Sequence, residues 1–159
     1  LEAFCFYKQS PKFSLDQEPT VEAIDKLQNF INFYPYSENL SLANEHIQEL
    51  RVKLEKKAFE IAKQYNTIRD HGSAITVLNS FITDYPGTPF REDALFYLFD
   101  SSYKIAINSI PSKKIERLND ARKVYEELIA EYPETQFLNK TVTMISTIDK
   151  EIAIFAPNQ

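Results

Sequence analysis

The sequence is short of glycine, with only Gly72 and Gly87 among its 159 residues. Sheet-rich folds normally use glycine in their tight turns, so this shortage favours long helices. Tryptophan is absent, whereas Tyr and Phe are abundant, at nine and twelve residues. The chain therefore has aromatic side chains for a core that is built from helices.

Several other features are also scarce. Cys5 is the single cysteine, so no disulfide can form within the chain. No apolar run reaches the roughly 20 residues that a membrane helix needs. The formal net charge is −5, and the basic residues that gather at 51–57 are interleaved with Glu49, Glu55 and Glu60, as on a solvated, ion-paired helix face. Phosphate recognition requires clustered positive charge, so these features argue against a nucleic-acid-binding protein.

Three segments of the sequence repeat one pattern without gaps: residues 23–35, 74–86 and 121–133. Each begins with alanine, places apolar or aromatic residues at offsets 4, 7, 8 and 11, and ends in Tyr-Pro. These offsets trace one stripe along an α-helix. The pattern resembles the second helix of a tetratricopeptide (TPR) unit.

The ends of these helices repeat as well. Proline lacks an N–H and clashes with the preceding turn, so each Tyr-Pro should stop its helix. A hydroxyl residue follows two positions after each proline and is a suitable N-cap for the next helix. The clearest case is Thr88-Pro89, where we expect Pro89 to be the first helical residue. The three predicted caps are Ser37, Thr88 and Thr135.

These repeats predict an all-α fold, a TPR-like right-handed superhelix of antiparallel helix pairs. We expect residues 1–159 to form a single array: a partial unit 1–37, units 38–87 and 88–135, and a terminal helix 136–155. The prolines stand 51 and then 47 residues apart, more than the about 34 of an ideal TPR. A long helix over about 41–64 accounts for part of the excess. Residues 107–119 should be an insertion in which Pro111 breaks the helix and leaves an exposed, partly basic loop.

The residue types that catalysis needs do not converge in this sequence. His46 and His71 fall on different predicted elements, and neither has metal-ligand spacing to Cys5. No glycine-rich phosphate loop is present. The carboxylates are placed on outer helix faces, where they solvate the surface. We therefore predict no catalytic residue, no metal site, no cofactor and no enzymatic activity.

Two motifs in the sequence point to a particular family of TPR proteins. Tyr7-Lys-Gln-Ser-Pro11 followed by Leu15-Asp-Gln-Glu-Pro-Thr20, and Tyr85-Pro-Gly-Thr-Pro89 followed by the helix 92–98, resemble the BamD family. BamD is the lipoprotein subunit of the outer-membrane β-barrel assembly machine of Gram-negative bacteria. The family has five TPR units, and on this resemblance the chain is a C-terminal fragment that begins within the second unit and ends after the fifth.

The resemblance implies a scaffold on the periplasmic face of the outer membrane, held there by a lipid anchor upstream of this chain. It implies two kinds of protein partner: the periplasmic domains of the barrel subunit BamA, and unfolded outer-membrane protein precursors. It implies no nucleic-acid partner. A generic TPR adaptor or co-chaperone, binding a peptide of a cytoplasmic or other envelope partner, is the alternative. Lys63 and Asn66 resemble, faintly, the residues with which such adaptors clamp an acidic C-terminal peptide.

In TPR arrays the partner groove is lined by the first helix of each unit. Aromatic residues beside charges suit a protein surface, because aromatic anchors carry much interface energy. Phe59 and Phe96 have an equally strong alternative role, which is packing between neighbouring repeats. The residues predicted to bind a partner are Lys56, Phe59, Lys63, Phe96, Asp100 and Tyr103.

Overall fold

The computed structural model describes residues 2–155, and over this range it contains seven α-helices and no strand. This confirms the predicted all-α class, which is compatible with TPR-like helix pairs. The helices are α1 (Glu2–Gln9), α2 (Glu18–Phe33), α3 (Leu40–Thr67), α4 (His71–Asp84), α5 (Arg91–Ile107), α6 (Pro111–Glu131) and α7 (Leu138–Phe155).

The chain divides into two compact units, Leu1–Ala58 and Phe59–Gln159, and the boundary falls within α3. In the first unit, α1 packs against α2, and the first half of α3 completes the core. The small residues Ala3, Ala23 and Ala43 are buried there, which lets the helices approach closely. The larger buried residues of this core are Leu27, Ile47 and Leu50.

In the second unit, α4 packs on α5, α5 on α6, and α6 on α7, while α5 also reaches α7. One core cluster surrounds Phe99, which is fully buried. A second cluster contains Leu95, Phe96 and Leu128. Phe99 stands where the TPR pattern has a small residue. Its ring lies 5.6 Å from that of Tyr125, so an aromatic contact takes the place of close backbone approach.

The three Tyr-Pro helix ends have nearly the same backbone geometry. Tyr34, Tyr85 and Tyr132 have φ of −126°, −125° and −130°, with ψ of 61°, 66° and 73°. In each, the tyrosine N–H still donates to the carbonyl four residues earlier. The following proline disfavours helical ψ at the tyrosine, so the helix ends there. The repeated stop predicted from the sequence is therefore present at all three places.

The three hydroxyl residues lie just before the α-helices begin and are not the N-caps that the sequence predicted. Thr88 Oγ1 accepts from the Phe90 N–H (3.3 Å), and the Thr88 carbonyl accepts from the Arg91 N–H (3.3 Å). Thr135 and Ser37 make the same contacts with the residues two and three positions on. Each hydroxyl thus closes a short turn before the α-helix. The prediction that Pro89 is the first helical residue was wrong, because α5 begins at Arg91.

Residues 107–119 are mostly helical, so the predicted exposed loop was wrong. Pro111 does separate two helices, but it is the first residue of α6, a position where its missing N–H costs nothing. Residues 108–110 alone connect α5 to α6. Leu118 is fully buried, and Lys114 pairs with Glu151 at 2.7 Å, so the segment lengthens α6 and packs against α7.

The long helix predicted over about 41–64 is α3, which extends slightly beyond both predicted ends. The predicted unit boundaries at residues 37, 87 and 135 fall in the turns between helices. Whether the whole chain forms one continuous array stays a prediction.

Candidate partner-binding groove

An open groove of about 390 Å³ runs between α5 and α7 in the second unit. Phe96 and Asp100 lie one turn apart on α5, so they share a helix face. The α7 side is polar except for Met144. The residues that line the groove are Phe96, Asp100, Asn139, Lys140, Thr143 and Met144.

An aromatic stack forms the floor of this groove. The Phe96 ring lies 3.9 Å from that of Phe137 with an angle of 6° between the planes, and only 5% of Phe96 is exposed. Lys140 Nζ lies 5.7 Å from the Phe96 ring centre, within the range of a cation–π interaction. The floor is therefore rigid, and a cation stands at its edge.

Asp100 is held by a polar network. Its Oδ2 accepts from Asn66 Nδ2 at 2.7 Å and from Lys104 Nζ at 2.6 Å. Asn66 also donates to Ser101 Oγ at 2.9 Å and is 8% exposed. Both bonds of the Asn66 amide stay within the protein, so Asn66 is not presented as a peptide clamp. The carboxylate, in contrast, has a fixed position on the groove wall.

Burial and neighbouring charges affect the titratable groups around α5. Burial raises the pKa of Asp93, the charge of Glu92 raises it further, and Lys63 opposes both. Burial lowers the pKa of His71, and so does the positive charge of Lys104. Asp93 lies on α5, the helix that supplies Phe96 and Asp100, and His71 lies at the start of α4, which packs on α5.

The sequence leaves two roles for Phe59, partner binding and packing between repeats, and its contacts fit packing. It is 4% exposed, its ring stacks on Phe90 at 5.5 Å, and it also contacts Phe81 and Tyr97. Lys63 Nζ covers this cluster, 5.8 Å from the Phe59 ring and 5.4 Å from that of Tyr97. Phe96 is buried in the same way, so neither ring is a free anchor.

The six predicted residues are thus only partly brought together. Phe96 and Asp100 share the groove, and Phe59 and Lys63 share an aromatic cluster. Tyr103 is half-buried beside Phe99, and Lys56 belongs to the first unit. Partner contact by any of the six stays a prediction.

Sequence reasoning missed the α7 wall of the groove. It treated residues 136–155 as a terminal helix and therefore placed no groove positions on it. Residues 139, 140, 143 and 144 do share one face of α7, but every helix has such i,i+4 pairs, so the sequence alone carried no signal for this wall.

The first unit has an exposed aromatic surface that sequence reasoning also missed. Phe33 is 76% exposed, Tyr34 60% and Tyr36 98%, and all three line an open groove with the start of α1. Tyr34 has a tyrosine counterpart in both other turns, but at the positions of Phe33 and Tyr36 the chain has acidic residues or glycine around Pro86 and Pro133. The repeated turn therefore does not require the rings of Phe33 and Tyr36.

Over residues 2–155 no three His, Cys, Asp or Glu side chains converge as a metal site. In the same part of the chain, no helix has both the length and the apolar character to cross a membrane. The absence of a metal, a cofactor and catalysis stays a prediction.

The helix pairs and the groove define a helical-repeat protein with surfaces suited to other proteins. A family model described as YfiO, outer membrane lipoprotein, matches residues 1–118 of the 159. The chain belongs to this YfiO family of outer-membrane lipoproteins, which confirms the BamD-like resemblance at the family level and indicates association with the outer membrane. No curated protein matches the sequence significantly. The family match ends at Leu118 in α6, so the α7 wall of the groove lies beyond it.

Proposed function

We propose that this protein is a non-catalytic interaction scaffold of the outer-membrane β-barrel assembly machinery. It acts on the periplasmic face of the outer membrane and is held there by a lipid anchor upstream of this chain. The observation that carries the proposal is the family match over residues 1–118. The partners are the periplasmic domains of a BamA-like barrel subunit, unfolded outer-membrane protein precursors, or both.

The groove between α5 and α7 is the proposed contact surface in the second unit. The partly buried Met144, the fixed carboxylate of Asp100 and the cation of Lys140 offer apolar contact beside both signs of charge. Interfaces combine such an apolar centre with a polar rim. Lys63, Tyr103 and Phe59 lie elsewhere in the second unit, and we propose them as further contact residues. Lys56 contributes separately, in the first unit.

A binding assay tests the proposal with two ligands from the same genome: the purified periplasmic domains of the barrel subunit, and an outer-membrane precursor unfolded in urea. We expect at least one to bind the immobilised chain. The double variant Lys140→Glu/Thr143→Lys should weaken that binding about ten-fold, as expected for residues near the centre of an interface. The variant Lys123→Glu is the matched control, since Lys123 is exposed on α6.

The outcomes of this assay test the scaffold role and the proposed contact surface separately. If neither ligand binds, the scaffold proposal is wrong. If a ligand binds the groove variant and the control equally well, the role stands and the groove is not the contact surface. Circular dichroism must show that both variants are folded. The upstream sequence provides another test: a signal peptide that ends in a lipidated cysteine supports the proposal, and a cytosolic start contradicts it.

A further inference from the structure

A second groove, of about 520 Å³, lies in the first unit between the α1–α2 loop and α3. Residues 10–14 form one wall, and one face of α3 forms the other. The α3 residues are spaced at three and four positions, as on a single helix face. They are Glu49, Val52, Lys53 and Lys56.

The lysines of α3 are held in place by the opposite wall. Lys53 Nζ donates to Ser10 Oγ at 2.7 Å, and Lys56 Nζ lies 4.5 Å from the Phe13 ring centre. One position beyond, Lys57 Nζ donates to the Leu15 carbonyl at 2.6 Å. Each ammonium group is thereby positioned by a neutral partner. The charge of Lys53 is partly offset by Glu49, whose pKa is lowered by the Tyr7 hydrogen bond and also by Lys53.

The groove is therefore positive on an acidic protein. Lys12, Lys53 and Lys56 line it, and in the first unit as described none of them forms an ion pair within 4.0 Å. Among the residues that line it, Glu49 is the one carboxylate, and its Oε2 accepts the Tyr7 hydroxyl. The chain as a whole carries −5. Unpaired lysines around a concave surface attract a negatively charged group.

Apolar contact is available beside these charges. Phe13 is half-buried, Val52 is 38% exposed, and both line the groove. Leu15, next along the loop, is 58% exposed. A suitable occupant therefore carries apolar side chains beside its negative charges.

We infer that this groove binds an acidic, extended segment of a partner protein, with carboxylates on the lysines and an apolar side chain on Phe13 and Val52. The inference rests on the proposed scaffold function. The exposed acidic residues Asp16 and Glu18 follow the loop wall in sequence. Their negative charge disfavours a broad anionic surface, so a single protein segment fits better than a membrane.

Fluorescence anisotropy tests this with a labelled peptide of alternating Glu and Leu residues ending in Phe, and with the same peptide carrying Gln for Glu. We expect the Glu peptide to bind, the Gln peptide to bind about ten-fold more weakly, and binding to fall as salt rises. The double variant Lys53→Gln/Lys56→Gln should lose about ten-fold in affinity. Lys53→Arg/Lys56→Arg, which keeps both charges, should retain most of it. Lys123→Gln/Lys150→Gln, which removes two exposed lysines of the second unit, should bind as the unchanged protein does.

Three results would overturn the inference: equal binding of the two peptides, equal binding by the groove and control variants, or no binding of the Glu peptide. Vesicles that contain phosphatidylglycerol serve as the membrane probe. Lysine-dependent vesicle binding without peptide binding would assign the groove to lipid instead. If the peptide fails while the barrel-subunit domains or the precursor still bind, this inference alone is wrong. If all of them fail, the scaffold function is wrong too.

Discussion

The first and last Tyr-Pro turns have the same backbone and very different surroundings. Tyr34 has φ −126° and ψ 61°, and Tyr132 has the similar values of −130° and 73°. Around Pro35 the chain exposes three aromatic rings, of which Tyr36 is 98% exposed. Around Pro133 the turn is bonded to α5: Glu92 accepts from Thr135 Oγ1 at 2.6 Å and from the Gln136 N–H at 3.0 Å.

The residue just before the tyrosine shows the same contrast. Phe33 is 76% exposed, whereas Glu131 receives two bonds from Arg91, at 2.6 and 2.8 Å. Proline restricts only its own residue and the one before it, so it fixes the turn and nothing beyond it. The same turn can thus be hydrogen-bonded to a neighbouring helix in one place and expose apolar side chains in another. Grouped exposed rings such as Phe33 and Tyr36 are candidates for an interaction surface, and that role stays a prediction.

The largest difference in stability between variants at the two turns should come from removing an aromatic ring. Phe96→Ala removes a buried ring that stacks on Phe137 beside the last turn, and should cost about 3–5 kcal/mol of unfolding free energy. Phe33→Ala at the first turn should change stability by about 0.5 kcal/mol or less. Urea unfolding followed by circular dichroism measures both, since the chain has no tryptophan. Similar losses would show that the first turn is packed after all.

Removal of the Glu92 carboxylate should have the next largest effect on stability. Glu92→Ala leaves the Thr135 hydroxyl, on a residue that is 5% exposed, without its acceptor, so we expect a loss of about 1–3 kcal/mol. Glu38→Ala is the matched control, because Glu38 is exposed beside the first turn. Its expected change is within about 0.5 kcal/mol. If the two variants unfold at the same urea concentration, the hydrogen bonds from the last turn to Glu92 do not contribute measurably to stability.

The shared backbone predicts equal effects of proline removal. Pro35→Ala and Pro133→Ala should each destabilise the protein by about 0.4–1 kcal/mol, because alanine leaves the unfolded chain more freedom. Thermal and urea unfolding of the two variants, compared side by side, checks this. A much larger loss at Pro133 would mean that proline also holds the contacts around the last turn.

The smallest effect should appear in the pH dependence. Hydrogen bonding from Arg91 lowers the pKa of Glu131 below its ordinary value of 4.5. The ionised carboxylate therefore stabilises the folded protein above pH 4.5, and this contribution is lost as the pH falls through the lower folded pKa. Glu131→Gln should flatten stability between about pH 6 and about pH 3. The urea midpoint across this range measures the difference, and an unchanged slope would contradict the role of the pair.

Much of the fold could be predicted because its signals are local. The Ala-to-Tyr-Pro segments gave α2, α4 and the second half of α6, and the long α3 followed from the apolar stripe before Tyr65. The failures involve contacts with distant residues. Residues 111–119 are helical because they pack against α7, through pairs such as Lys114–Glu151, which no local pattern reveals. Four lining residues of the groove were missed because α7 had been treated as a terminal helix without groove positions.

The sequence by itself determined where the helices stop and which side of each is apolar, because proline geometry and the 3.6-residue period act within a few residues. Tertiary structure alone decided how each aromatic residue is used. Phe59 and Phe96 are buried because rings from other helices cover them, and Phe33 and Tyr36 are exposed because no described residue does so. Burial depends on neighbours that are distant in sequence. For that reason only the structure could separate the rings of the core from the rings that are exposed.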